Sequence, residues 1–182
     1  ALATLSGTGP QQGNDPNRVA NTLKNYGCPC ATDYLFKAPD YAAFYQPVPA
    51  NIQKLGKVQF ADNSFGHSWL RDSKPETITE ALTFSPVGAA VYAWPIPDSA
   101  GIYHRPIGVQ DVHYTTIYGY EQGKYWKIFD SYDNTHKRLA WDYGFGQAKR
   151  YTLHRVIPTS PSPGGWIDWA VFIGWIKGRL GL

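Results

Sequence analysis

The sequence has no methionine among its 182 residues and only two cysteines, Cys28 and Cys30, with Pro29 between them. A disulfide between residues i and i+2 is strained, because bridged Cα atoms occupy a narrow range of separations. No CxxC…CxxC or HExxH spacing occurs, which argues against zinc, and neither metal nor cofactor is expected. Charge is scarce: 17% of residues are charged and the net charge is +3. That is too little to attract nucleic acid, and the basic residues are scattered. The densest basic run, His136-Lys137-Arg138, stands near Asp130, Asp133 and Asp142 and reads as a solvated surface. A bilayer span needs about 20 successive apolar residues; the apolar stretch Trp166–Ile176 is shorter and holds Asp168 and Gly174. No secretory-signal pattern opens the chain. Since it begins with Ala1 and lacks Met, a further segment is expected upstream.

What is present is apolar and aromatic. Hydrophobic residues make up 43% and aromatics 15%, with 7 Trp and 13 Tyr. This is a globular composition, long enough for one domain or two small lobes. With 14 Pro and 18 Gly, strands and loops are favoured over a helical bundle.

Along the chain, residues 1–13 read as loop. A helix follows, with Asn14 or Asp15 as cap, Pro16 in its first turn, Val19, Ala20 and Leu23 on one face, and Gly27 as its stop. Residues 28–51 read as ordered loop with one helical turn at 40–44, and 57–60 as a short strand. A second helix starts at Pro75-Glu76, with Ser73 as its cap. Strands are predicted at 87–94, 112–120, 124–130, 139–143 and 148–156, with a turn at Glu121-Gln122-Gly123. The order is α+β: a partial helical and loop lobe (1–84), an antiparallel β lobe (85–157), a linker (158–165) and an apolar tail (166–182).

The candidate chemistry lies in the β lobe. His113 begins one predicted strand and Asp130 ends the next, with a hairpin between. Antiparallel pairing sets the start of one strand beside the end of the other. A carboxylate there can accept from one imidazole nitrogen and fix the tautomer. The other nitrogen is left to take a proton from a thiol. His104, His136 and His154 lie near Arg or Lys and read as surface residues, His67 as a packing residue, and Asp111 as a turn residue.

The flanking residues resemble papain-like cysteine peptidases. Phe84-Ser85-Pro86-Val87, Gly101-Ile102-Tyr103, Val112-His113-Tyr114, Ile117-Tyr118-Gly119-Tyr120 and Tyr125-Trp126-Lys127-Ile128-Phe129-Asp130-Ser131-Tyr132 follow that family's order. There a "GPV" strand and a "GIY" segment precede the catalytic His, and a hairpin delivers "YWxxKNSW". The resemblance implies a papain-like fold: a short helical front part and an antiparallel sheet or half-barrel bearing His113 and Asp130. His113 matches the catalytic histidine, Asp130 the Asn that orients it, and Tyr132 the Trp that shields the pair. The departure is Asp for Asn, and a carboxylate would strengthen the imidazolium. Tyr132, Trp126 and Trp94 are the aromatics expected to bind substrate.

Ser6-Gly7-Thr8, Gly13-Asn14 and the run Val19–Gly27 resemble the stretch that the family places after its catalytic helix, with Tyr34-Leu35-Phe36 in the place of a "YPY"-like segment. The nucleophilic Cys would then precede Ala1. The rival is Cys30, whose interval to His113 suits compact members of the superfamily. Against it, Pro39 follows closely and Lys24 stands where the oxyanion Gln would be expected. The likeness covers roughly Ser6–Leu153 and is nearest in look to papain-like proteins of bacterial viruses.

It implies a cysteine peptidase acting on peptide or protein substrates, this chain alone being inactive without the upstream Cys. The alternative is a decayed papain-fold structural protein, associated with virions. The tail is expected either to form a helix covering its own domain or to dock on other virion proteins or a membrane surface, and the location to be virion or extracellular.

Overall fold

The computed structural model describes residues 2–9, 14–30, 32–34 and 45–155. The predicted turn at 40–44, the linker and the apolar tail lie outside them. Among the described residues, four helices and seven strands follow in the order α1 (Leu2–Leu5), α2 (Pro16–Tyr26), α3 (Ala50–Phe60), β1 (Asn63–Trp69), α4 (Pro75–Leu82), β2 (Val87–Val91), β3 (Ile102–Tyr103), β4 (His113–Glu121), β5 (Tyr125–Asp130), β6 (Thr135–Ala140) and β7 (Ala148–Arg155). The strands form one sheet, ordered β1-β7-β2-β4-β5-β6-β3. Every pairing is antiparallel except the two-residue β3, which runs parallel to β6. The architecture is α+β, as the sequence order suggests.

Local chemistry explains the first long helix. The Asp15 side chain accepts from the Arg18 N–H at 2.8 Å, satisfying one of the orphan donors of α2. Gly27 ends it at φ 65°, a left-handed conformation that favours glycine. Space also demands glycine there, since an added Cβ would stand 2.2 Å from the Gly56 carbonyl oxygen. That close approach joins α2 to α3.

Several boundaries depart from expectation. Residues 57–60 are the last turn of α3 and not a strand. Ile52, Gln53, Leu55, Gly56, Gln59 and Phe60 are its less exposed positions, a helical spacing that a four-residue window cannot show. Residues 2–5 form a helical turn. Ser73 does not cap α4; the Asp72 carboxylate accepts from the Lys74 N–H at 3.1 Å and the Thr77 hydroxyl at 2.6 Å instead. β1 was not foreseen, because its polar residues carry no alternation and its partner β7 supplies the pairing. β2 ends at Val91, three residues early, which frees Trp94 to turn toward the site.

The core lies under the centre of the sheet. Ile78 and Ala81 of α4 pack on Val87, Ala89 and Val91 of β2, Ile117 of β4, Trp126 and Ile128 of β5, and Leu139 of β6. Each large apolar side chain buried there contributes roughly 1.5–3 kcal/mol. The apolar positions of β4 and β5 thus anchor a rigid hairpin whose open end carries His113 and Asp130.

Candidate active site

The register of the sheet decides which way the candidate side chains face. Ile117 of β4 lies opposite Ile128 of β5, and both are buried. Side chains alternate across a strand, so Thr115 and His113 follow Ile117 onto the core face, as Asp130 follows Ile128. His113 Nε2 and Asp130 Oδ1 stand 2.8 Å apart. Asp130 is wholly buried, at 0% exposure.

The Asp130 carboxylate is saturated with donors. Oδ1 accepts from the Tyr132 N–H at 3.2 Å as well as facing His113. Oδ2 accepts from Trp94 Nε1 at 2.6 Å and from Lys137 Nζ at 2.8 Å. Burial alone would push this carboxyl up. The hydrogen bonds from Lys137, Tyr132, His113 and Trp94 outweigh it and hold Asp130 below the ordinary carboxylate range. An ionised carboxylate only accepts, so the hydrogen between Asp130 and His113 belongs to Nε2. In the neutral ring Nδ1 therefore carries the lone pair, which is the arrangement a general base requires.

Aromatic rings wall the pair. The Tyr132 ring lies 3.8 Å from the His113 ring, centroid to centroid, tilted by 32°. Tyr132 is itself 67% exposed, so it caps the imidazole from the solvent side. Trp94 meets His113 edge-on at 5.8 Å and packs on Tyr103 of β3 at 5.6 Å. Trp126 is placed differently from its expected binding role. It is 1% exposed, stacks on Trp141 at 4.4 Å, and belongs to the core. Its position on β5 explains this, for it pairs with Tyr120 at the turn end of the hairpin, away from Asp130.

Cys30 sits in the loop after α2. Its N–H donates to Gln59 Oε1 at 2.7 Å, and its carbonyl accepts from the N–H groups of Asp33 and Tyr34. No hydrogen bond joins its sulfur to the His113 ring, and both Cys28 and Cys30 are exposed. Cys28 is exposed as a residue, but partial desolvation of its thiol pushes the thiol up, as does the neighbouring Cys30. His104, His136 and His154 are exposed, and His67 stands 3.0 Å from Asn21 Oδ1. Among the described residues, no group of three or more His, Cys, Asp or Glu side chains could hold a metal ion.

Asp111 is more than a turn residue. Its carboxylate lies 3.1 Å from Arg105 Nη2, and the same guanidinium donates to the carbonyl of Gly144. Gly146 leaves it room, since a Cβ there would stand 2.3 Å from Asp111 Oδ2. The segment leading into His113 is thereby fastened to the one that precedes β7. Lys137 is the residue that sequence reasoning missed. It is buried and not solvated, with its side chain 6% exposed. The available signal was parity: Lys137 and Leu139 are two apart on β6, so they share the inward face.

No protein-family model matches the sequence, and a search of curated proteins found no match. Solved structures do match. Bromelain from Ananas comosus, in complex with an inhibitor, superposes with a TM-score of 0.56 at 17% identity, over 79% of this chain and 71% of that one. A cysteine protease of Carica candamarcensis gives 0.51 at 15% identity, over 78% and 69%. The ragweed pollen allergen Amb a 11, a cysteine protease in its proform, gives 0.55 at 14%, over 92% of this chain and 48% of that one. At such identities the likeness speaks for the backbone arrangement, and the domain built around His113 and Asp130 has the papain-like α+β fold.

Proposed function

We propose that this chain carries the acid–base half of a papain-like cysteine peptidase acting on peptide or protein substrates. The observation that carries the proposal is the 2.8 Å contact between His113 Nε2 and the buried carboxylate of Asp130, whose other oxygen faces Lys137 and Trp94; a donor at Nε2 leaves Nδ1 as the base. In the reaction, Nδ1 takes the proton of a cysteine thiol, and the thiolate adds to the scissile carbonyl. The imidazolium returns that proton to the leaving amine as the C–N bond breaks. His113 then deprotonates a water, which displaces the thiol from the acyl group. Asp130 orients the ring throughout, and Tyr132 and Trp94 keep water from it.

The sequence holds only Cys28 and Cys30, and neither sulfur bonds the ring. On this reading the thiol comes from a cysteine outside these 182 residues. A second reading rests on that same fact: with no thiol at His113, the domain would be a papain-fold scaffold whose site has decayed, serving in a larger assembly such as a virion.

Two assays separate these readings. The 182-residue chain should release no fluorophore from peptide substrates, and Cys30→Ala should change nothing. The longest product of the gene should react with a thiol-directed epoxide and cleave peptides, and lose cleavage in His113→Ala. Cleavage by the short chain, abolished in Cys30→Ala, would return the nucleophile to Cys30. No labelling and no cleavage by the longest product would leave the scaffold.

A further inference from the structure

Lys137 occupies a position that suits an aliphatic residue. It stands opposite Ile128 on β5 and two residues from Leu139, both at 0% exposure. A lysine there is costly unless its charge is paired. Its ammonium has three acceptors for three protons: Asp130 Oδ2 at 2.8 Å, Asp133 Oδ2 at 2.5 Å and Thr135 Oγ1 at 2.8 Å. It also lies 5.3 Å from the centre of the Trp94 ring, whose own N–H donates to the same carboxylate oxygen. The acceptors come from the end of β5, the turn after it and the first residue of β6. The hairpin that delivers Asp130 thus delivers its counter-ion too.

We propose that Lys137 is a positioning residue of the His113–Asp130 pair, holding Oδ2 so that only Oδ1 faces the imidazole and sharing the carboxylate charge with the ring. The proposal rests on the peptidase reading for its purpose but not for its test. Without the ammonium, the whole charge of a buried carboxylate would bear on the ring. The pair would then grip a proton that a general base must release in every turnover. Asp133 tempers Lys137 from outside, since half of its side chain is exposed. The ionisation pattern agrees. Burial acts against Lys137, yet Asp130 and Asp133 hold its ammonium above the ordinary lysine range. The Lys137 and Thr135 hydrogen bonds bring Asp133 down to about 2. The groups facing the pair are Asp130 from β5, Asp133 from the turn, Lys137 from β6, Tyr132, and Trp94 backed by Tyr103 of β3.

The test is a pH titration of the pair in the 182-residue chain, followed by NMR of ¹⁵N-labelled histidine. In Lys137→Met the midpoint should rise by about one pH unit, a tenfold gain in proton affinity. Lys137→Arg should shift the midpoint less than Lys137→Met does, because the positive charge is kept. Asp133→Asn should move the midpoint down by about twofold, because Lys137 then bears more fully on Asp130. Lys127→Gln, on the opposite face of β5, controls for remote charge and should move it less than Asp133→Asn does. An unmoved midpoint in folded Lys137→Met overturns the proposal, as does an equal shift in Lys127→Gln. If Lys137→Met does not fold, Asp133→Asn decides: a downward shift supports the proposal, and no shift or a rise overturns it. The titration needs neither thiol nor substrate, so a chain that titrates as described yet belongs to no active peptidase refutes the peptidase reading alone.

Discussion

The resemblance to papain-like peptidases sets Asp130 against an Asn of those proteins, so Asp130→Asn installs their residue here, and we expect it to do harm. The amide can turn its oxygen toward only one side. On one side stand Trp94 Nε1 and Lys137 Nζ, at 2.6 and 2.8 Å, donors that have nowhere else to turn. On the other stand the Tyr132 N–H and the His113 ring, which can change tautomer and accept. The favoured orientation gives the oxygen to Trp94 and Lys137 and the NH₂ to His113. His113 must then accept at Nε2 and carry its hydrogen on Nδ1, the wrong nitrogen for a base.

The stability cost has two sources. Lys137 loses a buried charged partner, and one amide hydrogen meets the Tyr132 N–H. Together these should cost about 2–4 kcal/mol. In Asp130→Asn/Lys137→Met the oxygen is free to return to His113, so the double variant should lose less than the sum of the singles by about 1.5–3 kcal/mol. Urea unfolding measures the cycle, and the ¹⁵N shifts of His113 report the tautomer. If Asp130→Asn keeps the Nε2–H tautomer and loses under about 0.5 kcal/mol, or the cycle is additive, the donor accounting for Asp130 is wrong.

Three further outcomes follow from other contacts. Asp130 and Asp133 are both held below the ordinary carboxylate value when folded, so their contribution is complete above about pH 4 and is lost as pH falls toward about 2. The Tm should therefore drop steeply across that interval and much less from pH 7 to 5; a flat Tm down to pH 2.5 would contradict it. Tyr132→Ala removes the ring 3.8 Å from His113 and should cost about 1 kcal/mol or less. It should also speed exchange of the His113 Nε2 proton about tenfold, read by proton NMR, in proportion to opening of the site. Gly27→Ala puts a Cβ 2.2 Å from a carbonyl oxygen at φ 65° and should destabilise by at least about 2 kcal/mol in urea unfolding, where an unchanged midpoint would show that α2 and α3 can part at no cost.

Much of this was legible wherever the information was local. The Asp15 cap, the Pro16 start and the Gly27 stop of α2 each act within one helical turn, and the structure has them at those residues. The β4–β5 hairpin was legible because a short turn leaves two adjoining strands little choice but to pair. Where the signal was remote, the sequence misled. Residues 57–60 alternate like a strand, and only packing of α3 on α2 through Gly56 and Gly27 shows them as helix. β1 has no pattern of its own and exists because β7 offers an edge. Trp126 lies in the same segment as Asp130, yet four residues along a strand carry it to the turn end of the hairpin, where it packs in the core.

By itself, then, the sequence determined that His113 and Asp130 meet, since strand, turn and strand put the start of β4 beside the end of β5 whatever the rest of the chain does. The tertiary structure alone decided what that meeting amounts to. Trp94 reaches Asp130 from across 36 residues, and Lys137 faces inward only because β6 begins at Thr135 and not at the expected Leu139. One step of strand parity separates a solvated lysine from a buried counter-ion. The protonated nitrogen of His113 depends on that step, because it is the set of donors around a buried carboxylate, and not the spacing of residues along the chain, that leaves Oδ1 with nothing to do but accept.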